Sequence, residues 1–187
     1  MSVYEMILKR RSIRKFKQDK ISIEVLEKLV NAARFAPSGG NMQPLKYRIV
    51  NKPDEVEGVF NNVKWAFHIA PKGTPGKGEE PVAYIVILVD SEIRPQGYEF
   101  DVGAASQNIL LTALEEGIGT CWIASVNREK VRALLEIPDK YIIESVIALG
   151  YPAESPIVEE ENGSTKYYKD ECDVLHVPKR KLKDIII

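Results

Sequence analysis

The chain has 187 residues, of which 44% are hydrophobic and 28% are charged, and its formal net charge is -1 at pH 7. These values are typical of one globular domain over residues 1–187, and they exclude a general electrostatic affinity for nucleic acids or acidic membranes. Because the chain has no run of about 18 apolar residues and no secretion-signal pattern, we expect no membrane span and a cytoplasmic location, with Cys121 and Cys172 as reduced thiols.

The first half of the chain alternates helical and strand patterns around two irregular segments. Ser2 and Glu5 have the spacing of a capping box, which predicts a short helix to about Lys9. Ser22 precedes apolar residues at helical spacing, and this second helix must end before Pro37. The following patterns predict a strand over residues 45–50, a short helix over 53–63, a Pro/Gly-rich loop over 71–81 and a buried strand over 82–90.

The second half centres on residues 101–117, which are small or apolar nearly all round and predict a helix in the middle of the structure. A buried strand over 118–124, a helix capped by Asn127 and a core strand over 145–150 follow. Because helices and strands alternate without a regular βαβ rhythm, we predict the α+β class, with a mixed or antiparallel sheet packed around the central helix. Residues 151–187 predict an extended, polar tail that wraps a twin subunit.

Familiar catalytic and metal-binding motifs are missing. The glycines of residues 73–78 lack the spacing and hydroxyl of a phosphate-binding P-loop. His68 and His176 show no metal-ligand spacing, so no metal site is predicted. Neither cysteine lies in a nucleophile motif. The chain is therefore either not an enzyme or an enzyme whose chemistry a cofactor supplies.

The densest charge lies in the segment KRRSIRKF, residues 9–16. One interpretation is a solvated surface whose cations complement the dipole of the first helix. The other is that Arg10, Ser12 and Arg14 point to one side of an extended chain, where two guanidiniums and a hydroxyl could grip a phosphate monoester. A nucleic-acid-binding arm is disfavoured because interleaved aromatic residues and net positive charge are both absent.

The segment APSGGNMQP, residues 36–44, interrupts helix and strand with two prolines and two glycines. One interpretation is a loop that only ends the preceding helix. The other is that its glycines let the backbone approach a flat ligand, while Ser38, Asn41 and Gln43 donate and accept hydrogen bonds at the ring edge. A flat ring with polar edges, together with a phosphate, describes FMN better than any other common cofactor.

The order RRSIRKF at 10–16 and APSGGNMQP at 36–44 resembles the flavin-dependent nitroreductase family. The segments DVGAASQNILLTALEEGIGTCWI at 101–123 and ALGYPAE at 148–154 are similar to that family's central helix and last core strand. The basic segment PKRKLKDII at 178–186 is similar to its phosphate-contacting tail. The resemblance covers most of the chain in the same order.

This resemblance implies a nitroreductase-like fold in a domain-swapped type of homodimer, with two FMN sites at the interface. It implies ping-pong transfer of a hydride from NADH or NADPH to a nitroaromatic or quinone-like acceptor, with the chemistry at the flavin N5 and no catalytic side chain. The implied FMN-binding residues are Arg10, Arg11, Ser12 and Arg14, then Pro37, Ser38, Gly39, Asn41 and Gln43 from the other subunit, then Trp122, Ile123 and Ala124, and finally Arg180, with Lys179 or Lys181 beside it.

Two departures from the family pattern leave the acceptor open. Residues 64–81 form a Pro/Gly-rich loop where many members have helical material, and residues 120–127 lack an acidic, glycine-containing turn. Trp65, Phe67 and Tyr98 either flank the substrate pocket or simply pack. The alternatives are dehalogenation or flavin fragmentation on the same scaffold, and a flavin-binding dimer without catalysis.

Overall fold

A four-stranded antiparallel sheet with the strand order β1-β2-β4-β3 forms the centre of the structure, a computed structural model that describes residues 1–187. Five α-helices surround the sheet, which agrees with the predicted α+β class. The strands of this sheet are β1 Leu45–Val50, β2 Ala83–Asp90, β3 Gly119–Ile123 and β4 Tyr141–Gly150, and the helices are α1 Val3–Lys9, α2 Ile23–Ala33, α3 Pro53–Phe60, α4 Glu99–Glu115 and α5 Arg128–Leu135.

Strand β2 separates two apolar clusters that lie on opposite faces of the sheet. All eight of its residues are buried, as the continuous apolar run predicted. Because side chains alternate along a strand, Tyr84 and Val86 belong to one cluster, while Ile85 and Ile87 belong to the other. The first cluster includes buried residues of α3 and α5, and the second includes those of α2 and α4. The sheet is therefore covered on both faces.

Helix α4 is the central helix that the sequence predicted. Val102, Ala105, Ile109 and Ala113 form its buried stripe against the second apolar cluster. The opposite face is only half-buried, and Phe100 at its start is 88% exposed. In a single chain, the outer side of α4 is thus only partly covered. No helix of the structure is both long enough and apolar enough to cross a membrane.

The C-terminal segment, for which the sequence predicts an extended, polar tail, contains a second, three-stranded sheet in the order β5-β7-β6. The ring of Tyr168 stacks on His176, and the two nitrogens of His176 contact the carboxylates of Glu159 and Asp170 at 3.0 and 3.2 Å. After this sheet, residues 185–187 are exposed, and their contact with a partner stays a prediction. The strands are β5 Ile157–Glu160, β6 Tyr168–Lys169 and β7 Leu175–Lys179.

The basic segment of residues 10–16 is held against the ends of β3 and β4. The backbone N–H of Ile13 donates to the carbonyl of Thr120 at 2.8 Å. The side chain of Ile13 covers Gly119, and the ring of Phe16 covers Gly150. A Cβ at Gly150 would lie 2.7 Å from Cδ1 of Phe16, and a Cβ at Gly119 would lie 2.9 Å from Cβ of Ile13. These two glycines therefore allow the segment to approach the sheet closely.

We expect Gly150→Ala to lower the free energy of unfolding by about 1–3 kcal/mol, because the added methyl group overlaps the ring of Phe16. Chemical denaturation measures this change. Gly76→Ala is the matched control, since its Cβ would meet only the mobile end of Glu79 at 3.3 Å. An unchanged unfolding midpoint in Gly150→Ala would contradict the close packing.

The small sheet should loosen as pH rises, because Glu159 and Asp170 raise the pKa of His176 above its ordinary value of 6.5. The stabilisation is fully present below the pKa of the unfolded chain, and it is lost as pH rises through the higher folded pKa. Hydrogen exchange of residues 157–179, corrected for intrinsic rates, measures this between about pH 6 and about pH 9. In His176→Gln the pH dependence should disappear, and its persistence there would refute the assignment.

Candidate functional site

Arg10, Arg11 and Arg14, called the arginine group below, are half-buried and form no ion pair with a carboxylate. The Nε atoms of Arg11 and Arg14 are buried and have no hydrogen-bond partner. Burial lowers the pKa of Arg10, and burial together with the neighbouring charge of Arg10 lowers the pKa of Arg11. Guanidiniums stay charged at neutral pH, so this group suits an anionic ligand.

A cavity of about 300 Å³ opens beside Arg10 and Arg11. Leu114 and Gly117, at the C-terminal end of α4, line one side, and Thr120 of β3 lines another. The carboxylate of Glu154 also lines it, but it accepts a hydrogen bond from the backbone N–H of Arg14 rather than pairing with a guanidinium. The cations of this cavity therefore remain free for a ligand.

Strand β3 continues the site from Thr120. Ser12 forms a parallel bridge with Thr120, and Trp122 lies about 7 Å further along the strand at 3.3 Å per residue. The indole of Trp122 is 42% exposed, and its Nε1–H donates to Oγ of Ser145 at 2.7 Å. Ile123 is buried and Ala124 is exposed. Thr120 and Trp122 thus share one face of β3, whereas the side chain of Ile123 belongs to the first apolar cluster on the opposite face.

The end of β3 is held by two features of β4. Strand β4 has one extra residue opposite β2, Glu144, and this bulge precedes Ser145. The guanidinium of Arg128 donates to the carbonyls of Ile143 at 2.8 Å, Glu144 at 2.9 Å and Ala124 at 3.3 Å. Backbone and indole at this edge are therefore fixed by hydrogen bonds before any ligand binds.

Cys121 lies beneath the site and near Arg10 and Arg14, but it is buried. Burial raises the pKa of the thiol, although the two arginines oppose this effect. The thiol is therefore protonated at neutral pH and is a poor nucleophile. The structure contains no group of three or more His, Cys, Asp or Glu residues that could hold a metal ion.

The three aromatic residues considered for the pocket lie in different surroundings. Trp65 is buried in the first apolar cluster, and Tyr98 packs against the second. Phe67 is 87% exposed, and its ring contacts His68, which contacts Tyr167. The Arg14 guanidinium lies 5.3 Å from the centre of the Tyr167 ring. Phe67 is therefore the one of the three that is open to solvent on the arginine side.

The second predicted group lies in residues 37–43, called the 37–43 loop below. Gly40, Asn41 and Gln43 all have positive φ angles, of 60°, 54° and 51°. The side-chain Nε2 of Gln43 donates to Oδ1 of Asn41 at 3.0 Å. This pairing leaves Nδ2 of Asn41 as a donor and Oε1 of Gln43 as an acceptor, both on exposed residues. The two groups can form hydrogen bonds with polar atoms at the edge of a flat ring.

Asp101, in the first turn of α4, organises this loop. It accepts a hydrogen bond from Oγ of Ser38 at 2.6 Å and one from the backbone N–H of Gly39 at 3.1 Å. Oγ of Ser38 in turn accepts from the backbone N–H of Gln43 at 2.9 Å. The guanidinium of Arg94 lies 3.6 Å from the Asp101 carboxylate. The single proton of the Ser38 hydroxyl is therefore used within the chain.

The two predicted groups lie at opposite ends of α4. The 37–43 loop contacts Asp101, whereas the arginine group shares its cavity with Leu114, and these helical positions are about 20 Å apart at 1.5 Å per residue. A separate cavity of about 350 Å³ adjoins Pro37, Ser38 and Gln43. Arg180 is exposed, has no side-chain hydrogen bond or ion pair, and lines neither cavity. A single chain therefore contains two separate parts of the predicted site.

Sequence reasoning did not single out Asp101, Arg94 or Ser145. An acidic residue in the first turn of a helix is ordinary, so the position of Asp101 gave no signal of a distant partner. Its contact with Ser38 joins residues 63 positions apart, and only folding brings them together. Glu154 lies in a segment that the sequence analysis quoted, without any role assigned to it.

Comparison with known proteins gives a consistent result. The model of the Nitroreductase family matches residues 7–151. A protein from Archaeoglobus fulgidus, provisionally named NADH dehydrogenase/NAD(P)H nitroreductase, is 34% identical over 155 residues, which cover 79% of this chain and 84% of the relative.

Two solved structures share the fold. An FMN-dependent nitroreductase from Clostridium difficile aligns with a TM-score of 0.64 and 26% identity, covering 90% of this chain and 92% of that one. A provisionally named nitroreductase from Desulfovibrio desulfuricans, solved in complex with FMN, aligns with a TM-score of 0.69 and 24% identity, covering 87% of this chain and 93% of that one. At the latter identity the likeness concerns the fold alone.

Proposed function

This chain belongs to the nitroreductase family, and we propose that it is an FMN-dependent oxidoreductase that uses NADH or NADPH to reduce a small, flat, electron-poor acceptor such as a nitroaromatic or a quinone. The observation that carries the proposal is the arginine group: Arg10 and Arg11 line a cavity of about 300 Å³, and the buried Nε atoms of Arg11 and Arg14 have no hydrogen-bond partner. The name of the Archaeoglobus fulgidus relative supports NADH or NADPH as the reductant, and the name of the Clostridium difficile structure supports FMN as the cofactor.

The residues of one chain fit the phosphate end of FMN. Arg10 and Arg14 would supply charge-assisted hydrogen bonds to the phosphate, and Ser12 would add a hydroxyl. Trp122 and the backbone of Ile123 and Ala124 would lie along the ring. When bound, FMN supplies the redox chemistry by taking a hydride from the nicotinamide and passing electrons to the acceptor in separate half-reactions. The protein then contributes binding, orientation and positive charge.

The ring edge requires the 37–43 loop, and we infer that a second copy of the chain supplies it. The two parts of the site are about 20 Å apart along α4 in one chain. Helix α1 has no buried residue, and Val3, Tyr4, Ile7 and Leu8 are exposed. Exposed apolar side chains concentrated in this way are typical of a subunit interface. A two-fold dimer that covers α1 and the outer face of α4 would complete two equivalent sites.

Purified protein, saturated with FMN and desalted, should retain a flavin absorption spectrum that bleaches on anaerobic addition of NADH or NADPH. A titrated acceptor should then restore the spectrum without forming a ternary complex, which stopped-flow kinetics can follow. A protein that retains no flavin would refute FMN dependence. A retained flavin that neither nicotinamide reduces would instead favour a flavin-binding role without this activity.

The dimer makes a prediction that mixed variants can test. Homodimers of Arg10→Ala, and homodimers of the double variant Asn41→Ala/Gln43→Ala, should each bind FMN about 10- to 100-fold more weakly, since each lacks one part of every site. A heterodimer of the two variants, coexpressed and purified with two affinity tags, should contain one intact site. Half the sites should then bind FMN with wild-type affinity.

This recovery requires that the two parts of a site come from different copies. If one copy supplied both parts, every site in the heterodimer would carry a substitution and no high-affinity binding would return. Isothermal titration of FMN into the heterodimer distinguishes the two outcomes by stoichiometry. A dimer of two wild-type chains that carry the same two affinity tags is the control for tagging.

A further inference from the structure

We propose that Asp101 is a positioning residue that holds the 37–43 loop in the conformation that meets the flavin, an inference that rests on the proposed function. Asp101 is only 4% exposed, and both oxygens of its carboxylate accept hydrogen bonds from the loop, so we assign it a role in holding the loop and no contact with the flavin. Its carboxylate joins the first turn of α4 to two groups of the loop and to Arg94.

The hydrogen bonds form a series that ends at Asp101. The N–H of Gln43 donates to Oγ of Ser38, and this hydroxyl donates its own proton to Asp101. The direction of both bonds depends on a carboxylate that can only accept. Ser38 is therefore not free to donate to a flavin, and its role changes from a ligand contact to a link between Asp101 and Gln43.

The loop needs such support because its backbone is strained. Asn41 and Gln43 have φ angles of 54° and 51°, a region that costs free energy for residues other than glycine. These are the same two residues whose carboxamides present the paired donor and acceptor. Without the bonds from Gly39 and Ser38 to Asp101, the loop can relax to unstrained angles and turn the carboxamides away.

Arg94 completes the arrangement by neutralising the buried carboxylate. Its Nη1 is buried and lies above Gly39, where an added Cβ would be only 2.5 Å away. The first turn of α4, in which Asp101 lies, also favours a negative charge, because it is the positive end of the helix dipole. Arg94 and the helix dipole thus both place positive charge beside the carboxylate that holds the loop.

The test is Asp101→Asn, studied first in the protein without flavin. Asparagine keeps the shape and can accept from Gly39, but its amide nitrogen cannot accept from Ser38, and it carries no charge for Arg94. Hydrogen exchange at the amides of Gly39 and Gln43 should accelerate about tenfold, while exchange in the buried stripe of α4 should not change. The FMN dissociation constant should rise about tenfold.

A double-mutant cycle shows whether Asp101 acts through Ser38. Ser38→Ala removes the same link from its other end, so the combined variant Asp101→Asn/Ser38→Ala should weaken FMN binding hardly more than the stronger single variant. Each single variant raises the FMN dissociation constant by some factor. If the combined variant raises it by the product of these two factors, Asp101 acts independently of Ser38 and the inference is overturned.

Glu55→Gln is the matched control. Glu55 also lies in the first turn of a helix, its side chain is 14% exposed, and it contacts the Arg48 guanidinium at 3.2 Å, but it belongs to α3. This variant should change neither exchange in the 37–43 loop nor FMN binding. Asp101→Asn should leave exchange in the buried stripe of α4 unchanged, whereas a merely structural role would accelerate exchange throughout α4.

The two proposals fail separately. Unchanged exchange at Gly39 and Gln43 in Asp101→Asn would overturn the positioning role, whatever the wild-type protein does with FMN. Failure of the wild-type protein to bind FMN would overturn the proposed function, while the exchange rates would still show whether Asp101 holds the loop.

Discussion

The packing of Ile13 and Phe16 onto two glycines is the constraint on which the arginine group depends. Gly119 and Gly150 pair with each other across β3 and β4, and neither has a side chain that would keep the basic segment away. The segment therefore lies against the sheet, and backbone hydrogen bonds to Thr120 and Tyr151 hold it there. The buried side chains of Ile13 and Phe16 anchor the segment, while Arg10 and Arg11 lie beside the cavity and form no ion pair with a carboxylate. The free energy of packing thus offsets the cost of keeping cations half-buried without partners.

Helix α4 acts as a spacer between the two parts of the site. Its N-terminal turn holds the 37–43 loop through Asp101, and its C-terminal end lines the cavity of the arginine group. A rigid helix cannot bring its own ends together, so one chain leaves each part incomplete. The exposed apolar residues of α1 and the half-buried outer face of α4 mark the surface that the proposed dimer would cover. Burial of this surface and completion of the site would then be one event, which couples assembly to cofactor binding.

The two parts of the site offer different kinds of interaction to a ligand. The arginine group offers positive charge with few competing partners, which favours a phosphate and later the negative charge of a reduced ring. The 37–43 loop offers neutral donors and acceptors in a strained backbone, which favours a ring edge of matching pattern. In both parts, other side chains hold the segment that carries the candidate binding groups. Glu154 and Arg128 bind backbone groups near the first part, and Asp101 binds the second.

Local patterns in the sequence determined most of the elements. The capping side chains of Ser2, Ser22 and Asn127 make the hydrogen bonds that their positions predicted, and the apolar run of β2 is buried on both faces. The residue types of the arginine group and of the 37–43 loop were also clear, because glycine, proline and clustered charge act within a few residues. Only the tertiary structure decided that the arginines lack carboxylate partners, that Ser38 gives its proton to Asp101, and that residues 157–179 form a second sheet. Each of these depends on groups far apart in the sequence, whose distances are set by packing of the whole chain rather than by local preference.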